Sequence, residues 1–429
     1  MAVRRFIGWP DRGKVAISAA IALLLATYAW IALLPIFLPT TPRADDFQDY
    51  KFAAQQIASG GDPYANFIRT RVPWDWSLNS GYIYPPAFAA TLVPLTWISN
   101  DLAVRIWLLL IELAVVLSVL LIYRSIGPPS RGELLALVAV LVTFFPLINS
   151  AMTGTMNALI LLLLTGAWAA WRSGREVASG AMTAVAAVFK LFPLALLPYL
   201  AWRRHWKLLA AMIATGVAGI MAGFLVTGFD HNLYYYREIL PHISAGTGFR
   251  ENQSIAGVTA RLCAPATSEN GGDAGWCGRL LDWPLVLALL AGVLTVARRG
   301  SRSGLEFALA IATLPLISTV TWSFHLVILI LPIALLIRAV FTGQTSRLAT
   351  RLLIVAWLCF SIGPAIHYLL IVHPLPNWPG IADLGLRAIT WLFGQTYFIG
   401  MVILVASLWA AVRRQLPAHE VRDRVAAAA

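Results

Sequence analysis

Three aspartates stand together in the first polar stretch of the chain, directly after a long apolar run. Asp45, Asp46 and Asp49 belong to a sequence with only 20 Asp and Glu among its 429 residues. Residues 45–59 are predicted to form an amphipathic helix that ends at Gly60, because apolar side chains recur on one face at helical spacing: Phe47, Tyr50, Ala54 and Ile57. Such a helix can lie along a membrane and hold a carboxylate beside a cavity, where a carboxylate can serve as a general base.

Other polar side chains recur near the ends of apolar runs, and they come from separate regions: Tyr84, Asn157, Lys190, Asn252, Ser254, Arg261 and His325. A carboxylate that faces cations and amides suits a reaction with an anionic leaving group. The carboxylate removes a proton from an acceptor hydroxyl, and the cations stabilise the charge that grows on a phosphate. The sequence has neither a P-loop nor a dinucleotide-binding glycine pattern. This combination suggests a lipid-linked donor rather than a nucleotide sugar.

Composition restricts the class of protein. The chain is 59% hydrophobic and 12% charged, with a mean hydropathy of +0.74, and its apolar runs are long enough to cross a bilayer. We therefore expect an all-α polytopic transmembrane bundle, with outward amphipathic helices beside the membrane. The net charge of +12 is explained by basic residues that flank membrane spans, so no nucleic-acid partner is expected.

About twelve membrane helices are predicted, some of them short or re-entrant. Residues 178–201 count as two, because basic clusters flank both ends of this segment, and the tip between the two short helices is expected near Lys190. The segment 84–98 is too short and Pro-rich for a full span, so it should be re-entrant or interfacial. Full spans are predicted near 15–38, 102–123, 133–149, 157–171, 208–227, 281–297, 304–319, 323–341, 350–371 and 388–411.

Most of the 32 Lys and Arg residues fall on one side of these spans, which predicts cytoplasmic termini and outward loops at 39–101, 228–280 and 372–387. Residues 1–415 should form a single membrane-embedded domain, and 416–429 a disordered cytoplasmic tail. The expected location is the plasma membrane.

Two of the three cysteines, Cys263 and Cys277, lie in one polar loop. Without nearby histidines they do not indicate a zinc site. If the loop faces an oxidising compartment, the two cysteines are candidates for a disulfide; the alternative is two unpaired thiols. No cofactor is expected. Metal dependence stays open, since Asp45, Asp46 and Asp49 could bind a divalent cation although their spacing is not a D-x-D pair.

The ordered set of motifs resembles glycosyltransferase family 87 of the C-type superfamily, over roughly residues 40–340. That family includes phosphatidylinositol-mannoside mannosyltransferases and an arabinofuranosyltransferase. The motifs are Asp46-Phe47-x-x-Tyr50, Tyr84-Pro85-Pro86, Gly154-x-x-Asn157, Lys190-x-Phe192-Pro193, Asn252-x-Ser254 with Arg261, and Trp322-x-x-His325. One departure concerns the turn Gly154-Thr155-Met156-Asn157, because many relatives have Gly-Gln before the Asn, and this leaves the role of the turn open.

The resemblance implies a C-type architecture and a role for each motif. Asp46 would be the general base, with Asp49 and then Asp45 as the other candidates. The donor phosphate would be bound by His325 and Lys190, with Arg250 and Arg261 as further candidates. The remaining motif residues would bind substrate: Tyr50, Tyr84, Asn157, Asn252, Ser254 and Trp322.

The activity implied by the resemblance is inverting transfer of a hexose, with α-mannosyl transfer expected first and arabinofuranosyl transfer left open. The donor would be a polyprenyl-phosphate sugar. The acceptor would be a glycolipid or a cell-envelope glycan at the outer, periplasmic face, in glycolipid biosynthesis. A transporter or flippase of lipid-linked sugars is the competing hypothesis. It requires polar residues along a path through the membrane, and Glu112 is the main mid-span candidate.

Overall fold

The computed structural model describes residues 11–38, 44–67, 81–263, 275–297, 304–363 and 392–414. Within these ranges the regular structure is helical throughout, and no strand occurs. The predicted all-α class is therefore confirmed. The predicted outward loop 372–387 and the predicted tail 416–429 lie outside the described residues.

The α-helices, in chain order, are α1 (Asp11–Tyr28), α2 (Leu34–Phe37), α3 (Asp45–Ser59), α4 (Pro86–Thr91), α5 (Asn100–Ile126), α6 (Arg131–Thr143), α7 (Phe145–Thr153), α8 (Asn157–Arg172), α9 (Glu176–Phe189), α10 (Leu197–Trp202), α11 (Trp206–Thr227), α12 (Phe229–Tyr234), α13 (Leu240–Ser244), α14 (Ile255–Cys263), α15 (Gly275–Ala297), α16 (Leu305–Ile317), α17 (Ile330–Phe341), α18 (Arg347–Ser361) and α19 (Thr396–Arg414). Short 3₁₀ segments cover Val93–Trp97, Phe192–Leu196 and Ser323–Leu329, and π-helical turns cover Ala29–Leu33 and Tyr235–Ile239.

Six helices in the described part are long and apolar enough to cross a bilayer: Ser18–Phe37, Asn100–Ile126, Trp206–Thr227, Gly275–Ala297, Ser323–Phe341 and Thr396–Arg414. The bent pair α6 and α7 would make a seventh span. Further apolar helices, including α8, α9 and α16, are shorter than a full crossing. The chain is thus a multi-span membrane protein, while the number of twelve membrane helices stays a prediction.

The segment predicted as a span, 133–149, is a bent pair of helices, because the helix breaks at Phe144 and α6 meets α7 at 50°. Pro146 lies in the first turn of α7. A proline has no N–H to continue the ladder of the preceding helix, which accounts for the break. The break sends α7 toward the polar turn at Gly154.

The other predicted irregular segments are confirmed as short elements. Residues 84–98 form α4 and a 3₁₀ turn rather than a span. The helix that leads into Lys190 ends there, with Lys190 in an extended conformation and Pro193 in the first turn of the next element. Lys190 is therefore held at a helix break, as predicted.

Helix α3 has the predicted bounds and the predicted buried face. It ends at Gly60, whose φ of 73° is the left-handed conformation that glycine adopts without strain. Phe47 stacks on Trp107 of α5 with ring centroids 5.2 Å apart, and Tyr50 contacts the same indole edge-on at 6.0 Å. Both aromatic side chains are fully buried. This packing fixes α3 against the membrane bundle and so fixes the position of its first turn.

A disulfide joins Cys263 at the end of α14 to Cys277 in the first turn of α15, 14 residues later in the chain. A cross-link around a loop of this length stabilises a protein by about 3 kcal/mol, mainly by restricting the unfolded chain. We therefore expect that Cys263→Ser lowers the melting temperature of the detergent-solubilised protein, as does a reductant. Cys359→Ser, which removes the unpaired thiol in α18, is the matched control. Equal melting temperatures for the two variants would contradict the expectation.

Candidate active site

The base candidate Asp46 lies in the first turn of α3. A helix N-terminus carries a partial positive charge, which favours a carboxylate there. One turn later the hydroxyl of Tyr50 donates to Asp46 Oδ2 across 3.4 Å. Tyr50 is itself held edge-on against Tyr84 and Phe88, at centroid distances of 5.4 and 5.2 Å. The carboxylate of Asp46 is thus attached to a rigid aromatic cluster.

The ammonium group of Lys190 interacts electrostatically with this carboxylate. Lys190 Nζ donates to Asn157 Oδ1 at 2.9 Å, and it lies over the Tyr84 ring at 5.4 Å from the centroid. Its charge acts on both Asp46 and His325. Four of the predicted site residues therefore surround Lys190, although α3, the α7–α8 turn and the 3₁₀ segment at Ser323 are far apart in sequence.

Burial shifts both members of the Asp46–Lys190 pair toward their neutral forms. It raises the pKa of Asp46 to about 7, while the neighbouring Lys190 charge partly offsets this rise. Burial lowers the pKa of Lys190 to about 7, and the Asp46 carboxylate partly offsets that fall. A carboxylate whose pKa lies near neutrality is a stronger base than an ordinary aspartate, and it still ionises at physiological pH.

The imidazole of His325 is oriented by the backbone. Its Nδ1 accepts the N–H of Trp322 at 3.2 Å, at the start of the 3₁₀ segment Ser323–Leu329. In the neutral ring the other nitrogen, Nε2, then carries the proton, and the backbone of Val320 also hydrogen-bonds to the ring. Asn149 supports the same segment, because its Nδ2 donates to Ser323 Oγ at 2.8 Å.

A cavity of 390 Å³ borders Lys190 and His325. The polar part of the lining also includes Tyr84, Ser318, Thr319 and Thr321. The rest of the wall is mainly apolar: Leu191, Phe192, Leu240, Ile243, Leu314 and Ile317. Trp322 also lines the cavity, whereas Asp46 does not. The arrangement fits an anionic head group with an apolar chain, with the base candidate beyond the lysine.

The two other aspartates of α3 are placed differently. Asp45 is exposed. Asp49 accepts the side-chain amide of Asn66 at 2.9 Å, and the Asn66 carbonyl oxygen in turn accepts the N–H of Tyr82 at 3.2 Å. Burial raises the pKa of Asp49 to about 6, although the hydrogen bond from Asn66 opposes this rise. Asp49 is therefore held by a neighbouring loop, and Asp46 is the carboxylate beside the lysine.

Asn252 and Ser254 are not brought to the cavity wall. Both are fully buried, and Asn252 Nδ2 donates to the carbonyl oxygens of Thr247 and Thr319 at 2.8 and 3.0 Å. Asn252 Oδ1 accepts from the Ser254 hydroxyl at 2.9 Å and from the Thr321 N–H at 2.9 Å. The pair thus fixes the backbone of Thr319 and Thr321, and that backbone lines the cavity.

The two arginines proposed for the phosphate are also remote from the cavity wall. Arg261 donates to the carbonyl oxygens of Phe249 and Asn252, at 2.8 Å each, and to Gln395 Oε1. It thereby ties α14 to the segment that leads into α19. Arg250 is exposed, with Glu251 at 3.9 Å. In the described structure the cation that lines the cavity is therefore Lys190, with the imidazole of His325 on the same wall.

Sequence reasoning missed several residues that hold this site together. Gln253 links three segments: its side chain donates to the carbonyl oxygens of Arg250 and Gly394 at 2.9 and 3.0 Å, and its backbone N–H donates to Thr321 O at 2.7 Å. Asn66 and Thr155 were missed as well. Each is a single polar residue whose partner is set by tertiary contact, so no local spacing signals it. The available signal was a polar residue within two positions of a motif asparagine, as Gln253 and Thr155 are.

Within the described residues, no group of three or more His, Cys, Asp and Glu side chains is arranged to hold a metal ion. The candidate site consists of carboxylate, ammonium, imidazole and amide groups. The described structure is thus that of a multi-span helical membrane protein with a carboxylate and an ammonium group near a half-apolar cavity.

The family is shown by a direct comparison. The model of the family described as "Glycosyltransferase family 87" matches residues 82–319, which is more than half of the chain, so the chain belongs to glycosyltransferase family 87. The matched range contains Tyr84, Asn157 and Lys190. Asp46 and His325 lie outside it, and their roles rest on the geometry and on the motif resemblance.

Two other comparisons were made. None of the curated proteins compared matches the chain. Among solved structures the chain is similar to ArnT from Cupriavidus metallidurans in the apo state, with 15% sequence identity and a TM-score of 0.40, over 92% of this chain and 78% of that one.

Proposed function

We propose that this membrane glycosyltransferase transfers a hexose from a polyprenyl-phosphate donor to a glycolipid or cell-envelope glycan. The sugar proposed first is mannose, transferred as an α-mannosyl group. One observation carries the proposal. Lys190 contacts Asn157 and Tyr84 and interacts with the charge of Asp46, and it borders a cavity whose remaining wall is largely apolar. A lipid-linked sugar phosphate has the matching parts: one anionic group, one sugar and one apolar chain.

The donor phosphate would lie between Lys190 and the Nε2–H of His325. Both groups line the cavity, and both can donate to phosphate oxygens. The first isoprene units would follow the apolar wall formed by residues such as Leu240 and Ile243. Preorganised donors at a leaving phosphate are worth most where water is excluded, because the local dielectric constant is low.

The chemical step would be a single displacement. Asp46 takes the proton of an acceptor hydroxyl, whose oxygen forms a bond to C1 of the sugar. The bond between C1 and the phosphate oxygen breaks, and polyprenyl phosphate leaves with the electron pair. Attack from the face opposite the phosphate converts a β-linked donor into an α-linked product. The position of Asp46 beyond Lys190, and not on the cavity wall, supports an acceptor that arrives from the α3 side.

An outward orientation is supported by the direction of the helices around the site. Helix α8 begins at Asn157 and ends at Arg172, and α5 runs from the end packed on α3 to Arg124 in its last turn. Helix α17 likewise ends at Arg338, and α19 at Arg413 and Arg414. Basic residues favour the cytoplasmic side. We therefore propose that the site opens at the outer face of the plasma membrane and that both termini are cytoplasmic, within one domain spanning 1–415.

The flippase alternative gains no specific support from Glu112. Both carboxylate oxygens of Glu112 accept from the hydroxyl of Tyr28, at 3.0 and 2.8 Å. This contact joins α1 to α5 and uses the carboxylate as a link between helices. A path for a sugar head group would need further polar side chains at the same depth, and we therefore favour transfer.

The direct test is to incubate the purified protein with radiolabelled polyprenyl-phosphate mannose and a membrane-lipid extract. A new labelled glycolipid is expected. In parallel, polyprenyl-phosphate arabinofuranose tests the other sugar of the family. Transbilayer movement of the donor in proteoliposomes, without any labelled product, would overturn transfer and support a flippase.

The pH dependence of the reaction is a second expected result. The base must be deprotonated, so kcat/KM should fall as the pH drops below the pKa of Asp46, about 7. The lysine must be protonated, so kcat/KM should also fall as the pH rises above the pKa of Lys190, about 7. A bell-shaped profile with its maximum near neutrality follows. A profile that stays flat from pH 5 to 9 would contradict this pairing.

A further inference from the structure

A chain of buried hydrogen bonds leads from α7 to the ammonium group of Lys190. Lys190 Nζ donates to Asn157 Oδ1 at 2.9 Å, Asn157 Nδ2 donates to Thr155 Oγ1 at 3.0 Å, and Thr155 Oγ1 lies 2.7 Å from Ser150 Oγ. Ser150, Thr155 and Asn157 are almost fully inaccessible to solvent. None of these three residues lines the cavity. Within this series of hydrogen bonds, Lys190 is the residue that lines the cavity.

The donor and acceptor groups of these side chains determine the direction of the hydrogen bonds. An ammonium group only donates, so Asn157 must present its carbonyl oxygen to Lys190. Its NH₂ group must then donate toward Thr155, whose hydroxyl oxygen accepts. Between Thr155 and Ser150 either hydroxyl can donate. A buried amide whose NH₂ lost this acceptor would be unsatisfied and would favour another orientation.

The turn at Gly154 also positions α3, the helix that carries Asp46. A Cβ at Gly154 would lie only 2.8 Å from the Ala44 Cβ at the start of α3, so this position requires a glycine. The Gly154 carbonyl oxygen accepts the Trp107 indole N–H at 2.7 Å, and Trp107 stacks on Phe47 of α3. One short turn therefore supports both the helix that carries Asp46 and the side chain of Lys190.

We infer that Thr155 and Asn157 are positioning residues: Thr155 sets the orientation of the Asn157 amide, and this amide holds the Lys190 ammonium group at the donor phosphate. The inference deepens the proposed function and rests on it. It assigns a role to the turn at the point where the sequence departs from the Gly-Gln pattern of many relatives, since the Thr155 hydroxyl supplies the acceptor. It also replaces the expected direct binding of substrate by Asn157 with an indirect role through Lys190.

Thr155→Val removes the acceptor and keeps the side-chain shape. We expect KM for the polyprenyl-phosphate donor to rise about 10-fold, the effect of about one hydrogen bond to a charged group. The alkaline limb of the kcat/KM profile should move to lower pH, because Lys190 loses a partner for its charged form. Thr155→Ser should restore both properties. Thr183→Val is the matched control: this buried hydroxyl donates to Ser179 O within α9, the helix that precedes Lys190.

Asn157→Asp provides an independent test if Thr155→Val folds poorly. A carboxylate beside Lys190 would stabilise the ammonium form, so the alkaline limb should move to higher pH, opposite to the shift in Thr155→Val. Binding of a short-chain polyprenyl phosphate, measured without any sugar, completes the set. Its affinity should fall about 10-fold in Thr155→Val and stay unchanged in Thr183→Val.

The outcomes separate the inference from the proposed function. If the wild type transfers no sugar from any polyprenyl-phosphate donor, the proposed function fails, and phosphate affinity alone decides the role of Thr155. If the wild type transfers sugar but Thr155→Val matches Thr183→Val in KM, pH profile and phosphate affinity, the positioning role is overturned. Equal pH profiles for the wild type and Asn157→Asp would overturn it as well.

Discussion

Replacing Asp46 by asparagine is expected to reduce sugar transfer by about 10²–10⁴-fold, the usual contribution of a general base. Asparagine has the same shape and can still accept the hydrogen bond from Tyr50, so the packing of α3 should persist. It cannot take a proton at neutral pH. The loss should therefore appear mainly in kcat, in a protein that remains folded in detergent. Initial rates with radiolabelled donor, together with thermal unfolding in detergent, check both parts.

The neighbouring aspartates supply matched controls for this variant. Asp45→Asn removes the same charge one residue earlier, from an exposed position, and should stay within about threefold of the wild type because exposed charges are screened by solvent. Asp49→Asn removes the carboxylate held by Asn66 and tests the second candidate. If Asp49→Asn is the inactive variant and Asp46→Asn transfers normally, the base is Asp49 and the interpretation of Asp46 is wrong.

Much of the fold follows from local sequence patterns. The apolar face of α3, its end at Gly60 and the break at Lys190 all depend on nearest-neighbour chemistry, and the structure has them at the predicted residues. The bend at Phe144 was missed because the apolar run continues across it. Hydropathy alone therefore predicted one span at 133–149, although Pro146 marks the point where the hydrogen-bond ladder cannot continue.

The site could be predicted only in part, since its residues meet through long-range contacts. Lys190 and Asn157 were both expected near the substrate, and they do meet, but as a hydrogen-bonded pair. The sequence could not reveal that the side chain of Asn252 hydrogen-bonds to the backbone of Thr319 and Thr321. Nor could it reveal that Arg261 bonds carbonyl oxygens of its own loop. A buried asparagine and a substrate-binding asparagine look alike in one sequence, because only the tertiary partners differ.

Replacing Lys190 by methionine is expected to reduce kcat/KM by about 10²–10³-fold, the effect of removing one preorganised group that stabilises developing charge. Methionine retains much of the apolar stem but has no charge to place at the leaving phosphate. The affinity for polyprenyl phosphate should fall in parallel. Arg250→Met is the control, because it removes an exposed cation outside the cavity wall and should leave kcat/KM within about threefold of the wild type.

Lys190→Met should also move the acid limb of the kcat/KM pH profile. Lys190 holds down the pKa of Asp46, while burial raises it. Without the ammonium group the pKa of Asp46 rises further, so the residual activity should require a higher pH than the wild type needs. If the acid limb stays in place, Lys190 and Asp46 are not coupled, and the pairing that defines this site is contradicted.

A double variant separates the structural part of this pair from the catalytic part. In Lys190→Met the buried Asp46 carboxylate loses its partner, so the protein should become less stable as the pH rises and Asp46 ionises. Adding Asp46→Asn removes that unpaired charge, and the melting temperature at pH 8 should recover, although sugar transfer stays lost. Recovery of stability without activity is expected only if the two side chains are paired in the fold and both are needed in the reaction. A double variant that is no more stable than Lys190→Met would show that the pair does not interact in the folded protein.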